Sequence, residues 1–169
     1  MAEQPVDILL VEDNPDDAQL TLHVFQKYNL SNRLQVVEDG AEALDFLFHT
    51  GPSIDREPPR LILLDLKLPK VSGLEVLRQI RSDPRTCKIP VVVLTSSRED
   101  VDIKKCYELG VNSYVVKPVD FAQFSESTRQ LGLYWLVLNQ SPNNKSVSES
   151  SKTQLCCAER SVERSLTNR

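Results

Sequence analysis

Four apolar runs of this chain each end in residues that can do chemistry. Ile8-Leu9-Leu10-Val11 leads into Glu12-Asp13, Leu61-Ile62-Leu63-Leu64 into Asp65, Val91-Val92-Val93-Leu94 into Thr95-Ser96, and Val115-Val116 into Lys117-Pro118. Brought together, these ends offer three carboxylates, a hydroxyl and an ammonium. Like charges about 4 Å apart repel by roughly 4 kcal/mol at an effective dielectric constant near 20, so such carboxylates converge stably around a cation. With no His or Cys beside them the donors are all oxygen, which suits Mg2+ or Mn2+ rather than zinc. In such a site one carboxylate can attack phosphorus and keep the group as an aspartyl phosphate, while Lys117 balances the added negative charge.

The apolar pattern also predicts the elements that must position these groups. A continuous apolar run is a strand buried on both faces, as in a parallel sheet covered by helices. Runs at 7–11, 34–37, 61–65, 91–95 and 113–116 alternate with segments of helical period, which predicts βα units around a parallel sheet. In open sheets of this kind ligands bind outside the carboxyl ends of the strands, where all the reactive residues stand. The first helix should begin at Asn14-Pro15, a capping side chain followed by proline at the first helical position, with Asp16 and Asp17 suiting the positive end of the helix dipole. Ala18, Leu22 and Phe25 share its inner face. Further helices are expected over 40–49, burying Ala43, Leu44 and Leu47, and over 74–81, burying Val76, Leu77 and Ile80. A fourth, over 99–109, has Val101, Cys106 and Leu109 among many charges and should be lightly anchored. The Pro-rich, charged stretch 50–59 reads as a surface loop.

In order and spacing, Glu12-Asp13, Asp65-x-x-x-Pro69, Gly73, Thr95-Ser96 and Lys117-Pro118 resemble the receiver domain of two-component response regulators, over approximately residues 6–139. Each piece alone is weak, but the combination is specific. The resemblance implies a flavodoxin-like α/β fold, a doubly wound five-stranded parallel sheet of order 2-1-3-4-5 flanked by helices. It implies that Asp65 is the phosphoacceptor, taking its phosphoryl group from a sensor histidine kinase. Asp13, Asp65 and the backbone carbonyl of Lys67 would bind the metal directly, with Glu12 acting through water. Thr95 and Lys117 would bind the phosphoryl oxygens, and Tyr114 would be the aromatic that turns inward when Thr95 moves. The Lys117-Pro118 peptide would be cis, aiming the lysine into the crevice. Lys67 and Ser97 lie where the family tunes dephosphorylation. Within the family, Val11-Glu12-Asp13-Asn14-Pro15-x-Asp17, the insertion 49–60 and the Tyr134-Trp135-Leu136 ending are similar to the small regulators paired with cyanobacterial and bacterial phytochromes.

Taken singly, these residues have duller roles. An Asp after a strand usually caps a helix, Thr95-Ser96 can cap the fourth helix, Lys117-Pro118 can be a solvated turn, and Tyr114 can be core packing; their matching positions at several strand ends argue otherwise. His23 and His49 have no adjacent nucleophile and read as packing or surface groups. A Mg2+-dependent phosphohydrolase of the haloacid dehalogenase type also forms an aspartyl phosphate, but that chemistry resembles D-x-D. The second acid's place is taken here by Lys67, which leaves the departing alcohol without its proton donor. A phosphorylation-independent interaction module of the same fold would show a damaged site, and here every expected residue is present.

The chain has 169 residues, room for a receiver domain, 1–140, with an extended last helix, and a low-complexity tail, 141–169. Net charge is -4; the tail holds five Lys/Arg and three Asp/Glu, so it is +2 and the remainder -6. An acidic domain without a basic stripe predicts no nucleic-acid partner. Cys87, Cys106, Cys156 and Cys157 show no C-x-x-C spacing, so neither a disulfide framework nor a zinc site is expected. The polar start Met1-Ala2-Glu3-Gln4-Pro5 is unlike a signal peptide and no apolar stretch is long enough to cross a bilayer, which predicts a cytoplasmic chain without a membrane partner. The tail is expected to be mostly disordered, a short helix over 153–166 being the alternative. With no output module in view, the output should be a protein contact. A heptad-like seam of Phe121, Phe124, Thr128, Leu131, Trp135 and Leu138, widened by Tyr134, Leu136 and Val137, predicts pairing of two copies through the last helix. Phe121, Phe124, Tyr134, Trp135 and Leu138 are the contact candidates, and the inserted loop or the tail folding over the patch is the alternative.

Overall fold

Alternate side chains of a strand point to opposite faces of its sheet, so an unbroken apolar run needs a core on each side. The computed structural model, which describes residues 6–30, 33–48 and 57–140, supplies both. Its elements in chain order are β1 (Ile8–Val11), α1 (Pro15–Lys27), β2 (Leu34–Val37), α2 (Gly40–Phe48), β3 (Leu61–Leu64), α3 (Gly73–Ser82), β4 (Val91–Thr95), α4 (Asp100–Glu108), β5 (Ser113–Val116) and α5 (Phe121–Gly132), and α5 runs on as a π-helix over Leu133–Leu138. All strand pairs are parallel, in the order β2-β1-β3-β4-β5. This is the doubly wound flavodoxin-like arrangement.

Leu9, Val11, Ile62, Leu64, Val91 and Val93 enter one core with Ala43, Val76, Leu77, Ile80 and Cys106, so α2, α3 and α4 cover that face. Ile8, Leu10, Leu61, Leu63 and Val92 enter the other with Ala18, Phe25 and Leu136, so α1 and the end of the last helix cover the opposite face. Each fully buried Leu, Ile or Val adds about 1.5–3 kcal/mol relative to leaving it in water. The chain leaves β1 toward β2 and returns across it to β3. That reversal opens a crevice at the carboxyl ends of β1 and β3.

Local signals set the helix starts. Asn14 caps α1, its side-chain oxygen accepting from the amides of Asp16 (2.9 Å) and Asp17 (3.3 Å), ahead of Pro15. Ser72 and Asp120 cap α3 and α5 in the same way. The inner face of α1 is Ala18, Thr21, Val24 and Phe25, with Leu22 only half-buried. On α2, Leu44 and Leu47 pack from the rim of the core rather than inside it. On α4, Cys106 is buried and Val101 exposed, the light anchoring expected of it.

The last helix departs from the predicted seam. Its inward stripe is Phe124, Thr128, Gly132 and Leu136, a strict step of four. On an α-helix such a stripe drifts by about 40° per turn, and widening the final turns to π geometry keeps it on the core. The Asn139 amide bonds the Tyr134 carbonyl at 2.7 Å, closing the wide turn. Gly132 is needed for closeness: a Cβ there would sit 2.5 Å from the Phe25 ring. Phe124 is therefore core, at 4% exposure, and is withdrawn as a contact residue, as is Leu136 from the surplus surface. Position 49 at the predicted end of the second helix, residues 50–56 of the inserted loop and the whole of 141–169 lie outside the described residues, as do the alternative helix 153–166, Cys156 and Cys157.

Candidate functional site

The sheet ladder runs one residue past its strands and so fixes the reactive side chains. The Glu12 amide bonds the Val37 carbonyl (3.0 Å), Asp65 that of Val11 (3.0 Å) and Lys117 that of Thr95 (2.8 Å). Above this ladder Lys117 Nζ donates to Glu12 Oε2 at 2.5 Å, to Asp65 Oδ2 at 2.9 Å and to Asp17 Oδ2 at 2.9 Å. Thr95 Oγ1 donates to Asp65 Oδ1 at 2.7 Å, and the Lys67 amide reaches the same oxygen at 3.2 Å. Glu12, Asp65, Thr95 and Lys117 are buried, whereas Asp13 stands exposed at the rim. Gly73 lets α3 press on this strand end: a Cβ there would lie 2.1 Å from the Asp65 carbonyl oxygen. Lys70, in the left-handed region with φ 62°, reaches across to Asp39 at 2.5 Å and ties the loop after Asp65 to the start of α2.

Three carboxylates share one ammonium, so charge does not balance. Burial pushes Glu12 up, Lys117 only partly pulls it back, and the nearby Asp65 charge adds to the rise, leaving it at about 7. Burial also works against an ionised Asp65, but Lys117, Thr95 and the Lys67 amide together outweigh it and hold the group below the ordinary carboxylate range. Burial opposes a charged Lys117 as well, yet Glu12 and Asp65 raise it further and keep the ammonium protonated. Oxygens of Glu12, Asp13 and Asp65 lie within 4.8 Å of one another. This all-oxygen, charge-rich set fits a hard divalent cation.

A pH dependence follows from Glu12. In the unfolded chain a glutamate is already ionised above pH 6, whereas folded Glu12 gives up its proton around 7, so the folded state holds more protons and stability falls as pH rises. Between pH 6 and 8 the loss is on the order of 1 kcal/mol. Urea unfolding with a chelator present should show that slope in the parent chain and a flat profile in Glu12→Gln. A slope retained by the variant would assign the titration to another group.

Tyr114 is half-buried and its hydroxyl donates to the Ser97 carbonyl at 3.1 Å. The Ser97 amide in turn bonds Thr95 Oγ1 at 3.3 Å, and the Ser97 hydroxyl donates to Asp102 of α4 at 2.7 Å. Thr95 and Tyr114 are thus joined through one buried residue. Two sequence expectations need correction. No peptide bond among the described residues is cis, Lys117-Pro118 included; a trans bond already lets the lysine reach its three carboxylates, so nothing offsets the usual trans preference of about 0.5–1 kcal/mol. Asp17, read as a helix-dipole residue, also grips Lys117. The missed signal was simple: an ammonium has three donors, and two carboxylates do not satisfy it.

A family model described as "Response regulator receiver domain" matches residues 8–129. The chain is 45% identical over 142 residues to "Probable methanogenesis regulatory protein FilR2" of Methanothrix harundinacea (strain 6Ac), covering 83% of this chain and 90% of that protein. It is 39% identical over 132 residues to response regulator Rcp1 of Synechocystis sp., covering 78% and 90%. The crystal structure of the Mn(2+)-bound form of Rcp1 superimposes with a TM-score of 0.76, over 82% of this chain and 99% of that one, at 38% identity. That of the phosphorylated cyanobacterial phytochrome response regulator RcpA gives 0.75 over the same shares, at 37% identity.

Proposed function

The chain belongs to the response regulator receiver family, and from that premise we propose that Asp65 accepts a phosphoryl group from the phosphohistidine of a sensor histidine kinase in a Mg2+-dependent step. The carrying observation is that both oxygens of an ionised, buried Asp65 are already addressed by the groups a phosphoryl would need, Thr95 on one and Lys117 on the other. A bond forms between an Asp65 oxygen and phosphorus as the P–N bond breaks, its electron pair leaving with the imidazole. Thr95 and Lys117 then turn their hydrogens from the carboxylate, which has lost its charge, to the phosphoryl oxygens. Glu12, Asp13, Asp65 and the Lys67 carbonyl are the residues that would hold Mg2+, whose charge offsets that of the phosphoryl oxygens. As Thr95 moves, the Ser97 link carries the change to Tyr114 and α4. Proteins of this family are signalling proteins rather than classical enzymes; this one assists its own phosphorylation and dephosphorylation.

Incubation with acetyl phosphate and Mg2+ should yield an alkali-labile phosphate on Asp65. Its absence, or its presence elsewhere, would overturn the assignment. A phytochrome is the kinase this chemistry serves, a choice supported by the likeness to RcpA. The cytoplasm is the compartment, where kinases have ATP; among the described residues no helix is long and apolar enough to cross a membrane. The division into receiver, 1–140, and tail, 141–169, is supported by the family match ending at residue 129 and the last helix at Leu138.

The chain also pairs with a second copy. What supports this is the apolar surface left on the last turns: Tyr134 is 52% and Leu138 62% exposed, Leu133 and Val137 stand beside them, and half-buried Trp135 joins Tyr134 in lining a groove along β5. Phe121, 64% exposed, is a separate exposed aromatic at the start of α5. Light scattering should report a dimer at tens of micromolar protein, and Tyr134→Ala with Leu138→Ala a monomer. A monomeric parent chain would end the proposal.

A further inference from the structure

We infer that Asp17 is a positioning residue that occupies the third hydrogen of the Lys117 ammonium and competes for it with an incoming phosphoryl oxygen, so that it sets the affinity of the site for small dianionic phosphodonors. This rests on the proposed role of Asp65. An ammonium has three donors, and here all three are taken, by Glu12, Asp65 and Asp17. Before transfer, while Asp65 still carries its charge, an oxygen of the arriving donor can bond Lys117 only if one carboxylate lets go. Glu12 and Asp65 are nearly sealed from water, at 3% and 7% side-chain exposure, so either would be left with a costly unsatisfied oxygen. The Asp17 side chain is 33% exposed, and water can replace the lysine there at little cost.

Asp17 is also the one carboxylate around Lys117 that lies outside the metal-type cluster of Glu12, Asp13 and Asp65. It adds negative charge where a dianionic donor must enter and contributes nothing to holding a cation. Its backbone is fixed: the amide bonds Asn14 Oδ1, and the carbonyl accepts from the buried Thr21 hydroxyl at 2.8 Å. The carboxylate therefore returns to the same place whenever Lys117 is released. A kinase brings docking contacts that offset this competition, whereas a free acyl phosphate brings none.

The test uses the full chain, saturating Mg2+ and constant ionic strength, and follows the initial rate of Asp65 phosphorylation against acetyl phosphate concentration. Each turnover forms the Asp65 O–P bond and breaks the donor's P–O bond, acetate leaving with the electron pair. Asp17→Asn and Asp17→Ala should each lower the half-saturating donor concentration about fivefold and leave the limiting rate within about twofold, as expected for a partly exposed ion pair. Asp17→Glu should restore the parent value. Beryllofluoride, a phosphoryl mimic followed by 19F NMR, should bind more tightly to both charge-removing variants. An unchanged or raised half-saturating concentration in a folded variant, or a fall confined to the limiting rate, overturns the role of Asp17 and leaves that of Asp65 intact. A parent chain that takes no phosphate at any donor concentration removes both.

Discussion

Asp65→Asn is expected to take up no phosphate from acetyl phosphate, a loss of about 10⁴-fold or more, while folding as well as the parent chain. The chemical half follows from the amide, whose oxygen carries no charge with which to attack phosphorus, so the step that forms the acyl phosphate has no nucleophile. The structural half follows from the charge census around Lys117. Replacing one oxygen by an NH2 group costs one acceptor, but Lys117 keeps Glu12 at 2.5 Å and Asp17 at 2.9 Å. The Asp65 charge is also one of the causes that push Glu12 up, so its removal lets Glu12 ionise more readily beside the ammonium. At pH 8 without metal the variant should therefore match or exceed the parent in urea unfolding. Intact mass after incubation reads the first expectation. Undiminished phosphate on any other residue would take the phosphoacceptor role from Asp65.

Why the strand ends were legible and other features were not is a matter of range. A run such as Leu61-Ile62-Leu63-Leu64 announces a strand buried on both faces from four adjacent residues, and the carboxylate after it inherits its place from the ladder. Asn14-Pro15 announced the start of α1 just as locally. Lys117 was legible as a counter-charge, but Asp17 as its third partner was not, because the pair is separated by 100 residues and meets only where the start of α1 and the end of β5 come together at the crevice. The direction of the last helix was hidden for a related reason. By spacing alone Phe124 looks like a member of a free seam and Leu136 like surplus surface beside it; Gly132 lying against Phe25 and the widening after it turn both inward. The Lys117-Pro118 geometry came with the family resemblance and not from any residue here, and the trans bond aims the lysine well enough.

Lys117→Met should damage both chemistry and stability, the second in a way that pH and metal reveal. Phosphorylation should fall by about 10²–10³, the usual loss when a preorganised donor to a charged oxygen is removed. For the fold, the ammonium is the cationic partner of Glu12 and Asp65, both buried, and deleting one side of a buried ion pair costs about 3–5 kcal/mol. Protons relieve part of that cost. Without Lys117 the folded-state pKa of Glu12 rises beyond its present value of about 7 and that of Asp65 loses its main downward influence, so the folded chain holds more protons than the unfolded one. Stability is then lost as pH rises. Urea unfolding should show a small deficit at pH 5.5 and the full one at pH 8, with Mg2+ recovering part of it at pH 8 by binding only the folded state. Lys117→Arg keeps the charge, but a planar guanidinium cannot direct three hydrogens at carboxylates arranged around a single point. It should recover stability without recovering phosphorylation. A deficit of equal size at both pH values, untouched by Mg2+, would mean that the lysine stem supports the fold by packing alone.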